Sequence, residues 1–328
     1  MTLATMKDVA KLAGVSLSTT SYALNGSNKI SEATKQKVLD AAMQLNFSPN
    51  AAARSLKTKK TKIIGVILSD FIGSYFSSLL AGIQQKVREN GYDVIVISGI
   101  ETGERFIRQK LVDGMIMINP AIEDQMIKAY SSNDMPFILL DRKLEGEGIY
   151  NVMINNRDAF YEIMKCHIQN GRKNIAYLSG EQHAPDNIYR HESYQKAIHD
   201  KGLTYSKTFE CNYTKDEAYR LIKNLIESDQ IDFDALACAN DLMAVGAIEA
   251  LKEAGFNVPQ DISVSGFDDI ELAQYCYPQV TTYHVDRYQW GRKSGEIMMR
   301  AINKEEGIHT HEFIGHLIER GSTKKASN

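Results

Sequence analysis

Polar side chains stand repeatedly at the points where short apolar runs of this sequence end. Carboxylates, amides and guanidinium groups at such positions can share the hydroxyl groups of a polyol through paired donors and acceptors. The segment 70–76 follows the first run, and Arg190 is expected to begin the helix after the Gly180 loop. The other polar residues at run ends are Asn119, Asp141, Arg142, Asn240, Asp241, Asp268 and Asp269. Together these residues predict a site for a small polar ligand.

Aromatic residues near these positions could pack on the face of a sugar ring. They are Tyr75, Phe76, Tyr213 and Trp290. For each polar residue taken alone, a helix cap or a turn explains its presence equally well. The repetition of polar residues at run ends is what favours a binding site.

Common enzyme motifs are missing from the sequence. It has no Gly-x-Ser-x-Gly elbow, P-loop, Gly-x-Gly-x-x-Gly fingerprint or His-Glu-x-x-His helix. Cleft carboxylates could support acid–base chemistry, but no nucleophile and base can be paired from the spacing. His309-x-His311 lies in a strand-like segment with no third ligand of metal-site type nearby. We therefore expect no enzyme activity, no cofactor and no metal site.

The apolar runs alternate with amphipathic stretches from residue 63 onward. The runs lie at 63–68, 93–98, 114–118, 136–140, 174–178, 235–238 and 262–266, and helices are expected near 157–170, 190–201, 214–227 and 241–254. This alternation predicts parallel sheets with helices on both faces, in two similar lobes. Ligands of such folds bind beyond the carboxyl ends of the strands, so the cleft between the lobes is the expected site.

Three short helices with clear start signals precede this α/β body. Thr5-x-x-Asp8 has the form of a capping box, and the helix that it opens carries Val9, Leu12 and Ala13 on one face. The Gly14-Val15 pair ends that helix.

A second and a third helix follow the glycine turn. Ser16 is the N-cap of the second helix, which ends at Asn25-Gly26. Ser31 caps the third helix, whose buried positions are Val38, Ala41, Ala42 and Leu45. Two short helices joined by a tight turn, with small polar residues at the start of the second, describe a helix-turn-helix.

Charge is divided unequally along the chain. The first 62 residues hold ten Lys or Arg against three acids, which gives a local charge of +7. Because the net charge of the chain is −3, the remaining residues carry −10. A basic module on an acidic body is typical of a regulated polyanion binder. A solvated basic tail, the alternative, would not carry helix caps and periodic apolar faces.

The cysteines and the amino-terminal residues bear on the compartment. The cysteines are widely spaced, and we expect them to be reduced and buried; they are Cys166, Cys211, Cys238 and Cys276. The sequence shows no signal peptide and no apolar run near the ~18 residues that a membrane span needs. A cytoplasmic protein without membrane contact is expected.

Taken together, these residues resemble the LacI/GalR family of bacterial transcriptional repressors over almost the whole chain. Residues 7–16 (KDVAKLAGVS) resemble the family's helix-turn-helix opening, and 47–50 with 53–56 resemble its link and hinge helix. The similar core motifs are 112–114 (VDG), 239–241 (AND), 259–264 (PQDISV), 266–269 (GFDD), 281–282 (TT) and 318–323 (IERGST).

The resemblance implies an architecture. The fold class is α/β, with an N-terminal all-α helix-turn-helix DNA-binding domain and a two-lobed, periplasmic-binding-protein-like core of parallel sheets flanked by helices. The DNA-binding domain would span 1–60 with its hinge helix at about 50–57, and the core 61–328. The first lobe would comprise about 61–156 plus 287–313, and the second about 157–286 plus 314–328.

The resemblance also implies which residues meet DNA. The second helix would enter the major groove, with Leu17, Ser18 and Tyr22 toward base edges. Leu56 would wedge into the minor groove. The other implied DNA contacts are Thr5, Ser16, Thr19, Ser21, Asn25, Asn50 and Ala53, where Ala53 would let two hinge helices approach closely. Tyr22 departs from the Arg or His that the family often has there, and Tyr cannot make a bidentate contact to guanine.

For the core, the resemblance implies a small-molecule effector, a sugar or a sugar phosphate. The matching residues are Ser74, Tyr75, Asn119, Asp141, Arg190, Asn240 and Asp268, with Tyr213 and Trp290 as further members. The segment 99–112 is shorter than the corresponding family stretch.

The implied function is allosteric repression of sugar-utilisation genes in the bacterial cytoplasm, at the nucleoid. A homodimer would bind a pseudo-palindromic operator. The residues after Thr323 contain no leucine heptads, so no tetramer is expected. One alternative is a catabolite-control regulator modulated by a phosphoprotein corepressor. Another is a plain sugar-binding protein, which the basic N-terminal module disfavours. Whether the effector induces or corepresses stays open.

Overall fold

A computed structural model describes residues 4–48, 50, 55–56, 58–69, 75–305, 307 and 309–324 of the chain. The chain divides into two compact units, Met1–Thr61 and Lys62–Asn328.

The first unit contains the three predicted helices, α1 (Met6–Ala13), α2 (Leu17–Leu24) and α3 (Glu32–Gln44). Each begins at its predicted cap: the Ser16 hydroxyl accepts a hydrogen bond from the Thr19 amide, for example. Gly14 ends α1 with a φ of +63°, a conformation that glycine adopts without strain.

Small side chains form the core of the first unit. It consists of Val9, Ala13, Ala23, Val38, Ala41 and Ala42. Two expectations need correction. Leu12 is 49% exposed, because Ala10 takes the buried position on α1, and Leu45 is only partly buried.

The second unit alternates strands with helices. Its described strands are β1 (Ile63–Leu68), β2 (Asp93–Ser98), β3 (Gly114–Ile118), β4 (Phe137–Leu139), β5 (Ile149–Ile154), β6 (Ile175–Ser179), β7 (Lys207–Glu210), β8 (Ala235–Cys238), β9 (Ser263–Asp268), β10 (Thr281–His284), β11 (Thr310–Phe313) and β12 (His316–Ile318). Its described helices are α4 (Tyr75–Arg88), α5 (Ile100–Arg108), α6 (Asp124–Tyr130), α7 (Asn156–Gln169), α8 (Pro185–Asp200), α9 (Lys215–Glu227), α10 (Asp241–Glu253), α11 (Glu271–Tyr275) and α12 (Arg287–Ile302).

These strands form two six-stranded sheets. The first has the order β11-β5-β4-β3-β1-β2 and is parallel throughout. The second has the order β12-β10-β9-β8-β6-β7 and is parallel except where β12 runs against β10. The predicted fold class is confirmed, with this one antiparallel edge as an addition.

Helices cover both faces of the first sheet because its strands are apolar on both sides. Along β1, Ile64, Val66 and Leu68 pack in one cluster with Leu79 and Ile83 of α4. Ile67 points to the opposite face, into a second cluster. This arrangement is the reason the strands read as continuous apolar runs rather than alternating ones.

The chain passes between the sheets three times, after β5, after β10 and after β11. The second and third passages touch at Gly315, where a Cβ atom would lie 1.8 Å from the His284 carbonyl oxygen. Only glycine allows the two segments to approach this closely.

Most predicted element bounds agree with the structure. Strands β1, β2, β3 and β8 have the predicted ends, and β4, β6 and β9 differ by at most two residues. The start of α8 was predicted wrongly. The helix begins at Pro185 rather than at Arg190, because Pro presets the helical φ at the first position and Asp186 favours the positive end of the helix dipole.

Candidate functional site

Helix α2 presents an exposed face in the first unit. Leu17 and Tyr22 are 45% and 41% exposed, and Ser18 is exposed as well. Thr20 and Ala23 are buried on the opposite side. The predicted base-reading residues therefore share the open side of a helix that is anchored on its other side.

The small polar residues around α2 are partly used within the unit itself. The Ser16 hydroxyl caps the helix and lies 2.8 Å from the Thr19 hydroxyl. The Asn25 amide donates to the Ser21 carbonyl oxygen at 2.7 Å, and Thr5 forms the capping box with Asp8. These bonds fix the ends of the helices from which phosphate contacts would be made.

The other predicted DNA contacts lie after α3. Asn50 is exposed, and Leu56 is 84% exposed. Ala53 and most of the predicted hinge helix lie outside the described residues, as does Ser74 of the predicted effector site.

Arg190 is the most buried cation of the second unit's polar cluster, at 3% exposure. Its Nε donates to the Asn156 side chain at 2.9 Å, and its Nη1 donates to the Ala239 carbonyl oxygen at 2.5 Å. Its Nη2 lies 3.5 Å from Asp186, and the guanidinium stacks 3.8 Å from the Phe267 ring centroid. Burial alone would lower the pKa of Arg190, but the nearby carboxylates of Asp186 and Asp268 raise it. The side chain stays charged.

Asp268 ends β9 in an unusual backbone conformation, with a φ of +106°. Its carboxylate lies 3.4 Å from Nη2 of Arg287, which also donates to the Asp268 carbonyl oxygen. Burial raises the pKa of Asp268, and the two guanidinium groups of Arg287 and Arg190 oppose that shift.

Arg287 contacts both a helix that packs on the first sheet and a strand of the second sheet. It begins α12, and its guanidinium carbon lies 4.6 Å from the ring centroid of Tyr75, the first described residue of α4. Tyr75 in turn meets Phe76 edge to face at 4.9 Å. The polar cluster of the second sheet therefore faces aromatic rings from a helix of the first sheet.

Tyr213 closes another side of the cluster. Its hydroxyl donates to Asp186 at 3.0 Å, and Asn240 donates to its carbonyl oxygen at 2.9 Å. Tyr213 has a φ of +62°, and a Cβ at position 180 would lie 2.0 Å from its ring. Gly180 is therefore required for this placement of the ring. Burial, followed by the charge of Asp186, raises the pKa of the Tyr213 phenol well above its ordinary value.

Three predicted site residues make bonds typical of turns, helix caps and local ion pairs. Asn119 donates to the Leu68 carbonyl oxygen and accepts from the Ala121 amide. Asp141 lies 3.3 Å from the guanidinium of its neighbour Arg142. Asn240 likewise caps α10 through the Met243 amide. For these three residues the structural explanation accounts for the observed bonds.

Trp290 does not belong to the candidate site. It is 1% exposed, packs in the main core cluster and donates its indole N–H to the Val152 carbonyl oxygen at 2.6 Å. A fully buried ring with its donor satisfied has no face left for a ligand, so the expectation for Trp290 is corrected.

Sequence reasoning missed Arg287, Asp186 and Phe267. Arg287 follows β10 by three residues, so the strand-end rule could have found it if β10 had been recognised as a strand. Asp186 stands directly after Pro185, and Phe267 is inside the GFDD motif. Only the three-dimensional structure shows that they contact Tyr75, Tyr213 and Arg190.

Comparisons with known proteins agree with this architecture. Residues 5–50 match the model for bacterial regulatory proteins of the lacI family, and 166–323 match the periplasmic binding protein-like domain. The chain is 32% identical to the HTH-type transcriptional repressor PurR of Vibrio atlanticus, over 98% of this chain and 99% of that protein. It is 31% identical to the HTH-type transcriptional regulator RegA of Clostridium saccharobutylicum, over 97% and 98% respectively.

Solved structures show the same fold. A crystal structure of the Lac repressor dimer bound to operator and the anti-inducer ONPF superposes with a TM-score of 0.87 at 26% identity, covering 99% of this chain and 100% of that chain. A sugar-binding transcriptional regulator from Enterococcus faecalis gives 0.74 at 25% identity, covering 81% and 99%.

The fold and the site define a DNA-binding transcriptional repressor with a periplasmic-binding-protein-like core. The chain belongs to the LacI family of bacterial regulatory proteins. Its relatives are transcriptional regulators rather than enzymes. Among the described residues, no helix is long and apolar enough to cross a membrane.

Proposed function

We propose that this protein represses sugar-utilisation genes and that a sugar or sugar phosphate, bound between the two lobes of its core, controls its affinity for operator DNA. The observation that carries the proposal is the meeting of Arg190 and Asp268 with Arg287 and Tyr75 in the second unit. Donors, acceptors and an aromatic face together are what a polyol ring requires.

The lobe boundaries belong to the same proposal. We place the first lobe at about 61–156 plus 287–313, and the second at about 157–286 plus 314–328. The sheet composition supports this division, because every strand of the first sheet falls in the first set and every strand of the second sheet in the second. The effector residues then come from both lobes.

Operator binding is assigned to the first unit. The exposed α2 residues Leu17, Ser18 and Tyr22 would face bases, and Thr5, Ser16, Thr19, Ser21, Asn25 and Asn50 would position the module on phosphates. The 84% exposure of Leu56 supports its use as an apolar wedge, since its side chain is open to a partner surface.

The protein is proposed to act as a homodimer on a pseudo-palindromic operator in the bacterial cytoplasm. Two large aromatic side chains of the second unit, Tyr275 and Tyr277, are 79% and 83% exposed. They border a groove of about 830 Å³ that is separate from the polar cluster. Exposed aromatic surface of this kind supports an interface between protein chains. The structural relative bound to operator is itself a dimer.

A thermal-shift screen of sugars, sugar phosphates and purines tests the effector assignment. A ligand at about 100 times its Kd is expected to raise the melting temperature by about 5 °C. Asp268→Asn should abolish that shift, because the amide cannot replace the acceptor charge while Asn still tolerates a positive φ. Asp232→Asn, at an exposed ion pair with Lys207, is the matched control and should leave the shift unchanged.

A phosphoprotein corepressor is the competing candidate for the regulator of this core. It predicts no stabilisation by any small molecule of the screen. Stabilisation by one sugar that Asp268→Asn reverses would count against it, and stabilisation by purines alone would count against the sugar assignment.

A further inference from the structure

Arg287 differs from Arg190 in how its donors are used. Arg190 is committed to the protein through Asn156, Ala239 and Asp186, and it stacks on Phe267. Arg190 therefore has fewer donors left for a ligand, and it supports the site from its buried side.

The Arg287 guanidinium is only partly used. Its side chain is 10% exposed, and the bonds it makes run from Nη2 to the carbonyl and carboxylate oxygens of Asp268. Its Nε is buried and has no hydrogen-bond partner among the described residues. A guanidinium has five N–H donors, and a buried donor without an acceptor is costly to the folded protein.

Geometry restricts what can satisfy this donor. The guanidinium carbon lies 4.6 Å from the Tyr75 ring centroid on one side, and Asp268 occupies one Nη on another. On the Nε edge of the guanidinium, Nη2 already bonds Asp268, so the Nε–H is the donor left for a ligand. A charged donor bonds an anionic oxygen of a carboxylate or a phosphate more strongly than a neutral hydroxyl.

The charge around Arg287 favours the same kind of ligand. Asp186 is shared by Arg190 and Tyr213, and Asp268 is the carboxylate within ion-pair distance of Arg287. The Arg287 guanidinium therefore favours a ligand that brings an anionic group of its own.

We propose that Arg287 binds an oxyanion of the effector, so that the cleft selects an acidic sugar derivative, with a carboxylate or a phosphate group, over the neutral sugar. This proposal rests on the proposed sugar effector. It adds that the effector is negatively charged and that Arg287 binds the charged group.

Calorimetric titration of the full-length protein with matched ligands tests the inference. Glucose is compared with glucuronate and glucose 6-phosphate, and ribose with ribonate and ribose 5-phosphate, at fixed ionic strength. An acidic member should bind about tenfold or more tightly than its neutral parent. The member that binds distinguishes a carboxylate from a phosphate.

Variants at Arg287 separate oxyanion recognition from general damage to the site. Arg287→Gln should weaken the acidic ligand by about tenfold or more and leave the weak binding of the neutral parent within about twofold. Arg287→Lys keeps the positive charge but not the planar guanidinium, so its affinity for the acidic ligand should lie between those of the wild type and Arg287→Gln. Arg292→Gln, on the same helix beside Glu89, is the matched control and should change neither affinity.

The remaining outcomes of these titrations decide against the inference, against the proposed function, or against both. The inference is overturned if neutral and acidic members bind equally, if no acidic member binds, or if Arg287→Gln weakens both equally. Binding of neutral sugars alone would leave the proposed function standing. Binding of no sugar of either kind would remove both. Should Arg287→Gln unfold, Arg287→Lys must still lose acidic-ligand affinity selectively.

Discussion

Asp268 is held with a φ of +106°, a conformation that costs an aspartate on the order of 1–3 kcal/mol. Such strain is kept where the surrounding structure determines the backbone. Here Arg287 bonds the Asp268 carbonyl oxygen, and the next residue, Asp269, is fixed by Arg320 and His284. The carboxylate is thereby aimed at the cluster rather than into the sheet.

A second buried carboxylate lies behind it. Asp241 is fully buried, its Oδ2 accepts from the Ile270 amide, and burial, followed by the charge of Asp268, raises its pKa well above the ordinary value. A Cβ at position 266 would lie 2.1 Å from its Oδ1, so Gly266 makes room for it. Asp241 thus holds the loop that carries Asp268.

Acid pH should destabilise the core through His167. The ring is buried, with Nε2 2.7 Å from the Ser265 hydroxyl, and burial, assisted by Arg172, lowers its pKa to about 3. In the unfolded chain the pKa is about 6.5. Between these values the unfolded chain binds a proton that the folded chain does not, so stability present above pH 6.5 is lost as the pH falls. From pH 7 to pH 5 this residue should remove about 2 kcal/mol from the free energy of unfolding.

Urea unfolding at pH 7 and pH 5 measures this loss. His167→Gln should lower stability at pH 7 but show a smaller decrease on acidification. His199→Gln, at a side chain 91% exposed, should keep the wild-type pH dependence. An unchanged acid slope in His167→Gln would show that the histidine is not responsible.

At the scale of elements, α4 and α12 bring Tyr75 and Arg287 to the cluster. A Cβ at Gly291 would lie 2.1 Å from the Leu79 carbonyl oxygen, and one at Gly82 would lie 2.1 Å from the Tyr288 carbonyl oxygen. The two helices are therefore in backbone contact. Tyr75 begins the described part of α4 and Arg287 begins α12, so this contact sets their separation.

Gly291→Ala should force these helices apart. In an open helix position the change would stabilise the protein by about 1 kcal/mol, but here we expect a loss of about 1–3 kcal/mol and weaker effector binding. Thermal unfolding measures the first effect. Gly103→Ala in α5 is the contrast, because its Cβ would meet the ends of the Ile67 and Ile122 side chains rather than backbone, and it should cost less. A stabilised Gly291→Ala protein would contradict the proposed helix contact.

The strand–helix alternation was readable from the sequence because buried parallel strands are uniformly apolar, as in β1 and β3. The strand-like alternation at His309-x-His311 was also correct, since β11 covers Thr310–Phe313. Strands β5, β7, β10 and β12 were not predicted, and β10 and β12 were hard to recognise because their residues are polar or few. Thr281 is fully buried only because its hydroxyl is bonded to Thr323 and Arg320, which are distant in sequence.

The site was predictable only in part, for the same reason. Asp268 was identified as a strand-end residue and Arg190 as a residue at a helix start, but their contacts depend on residues far away along the chain. Arg287 follows β10, a strand that the apolar pattern did not predict. The residue type of Trp290 suggested stacking on a ligand, but its ring packs in the core. Residue type and spacing indicate candidates, whereas three-dimensional packing decides which of them face a ligand.

At the scale of the whole molecule, charge and function are divided between the two units. The basic first unit carries the exposed face of α2, and the acidic remainder holds the polar cluster. Operator binding should therefore weaken steeply with salt, while effector binding in the buried cluster should depend on it less.

The central claim is that a ligand in the core controls operator binding, and one measurement tests it directly. Full-length protein is used to select operator duplexes from a randomised pool, and fluorescence anisotropy then gives the operator Kd with and without the effector found by titration. Two chains should bind each pseudo-palindromic duplex, and saturating effector should change the Kd by about fivefold or more. Asp268→Asn should bind the operator with the effector-free Kd and ignore the effector. An operator Kd that is the same with and without saturating effector would contradict the account.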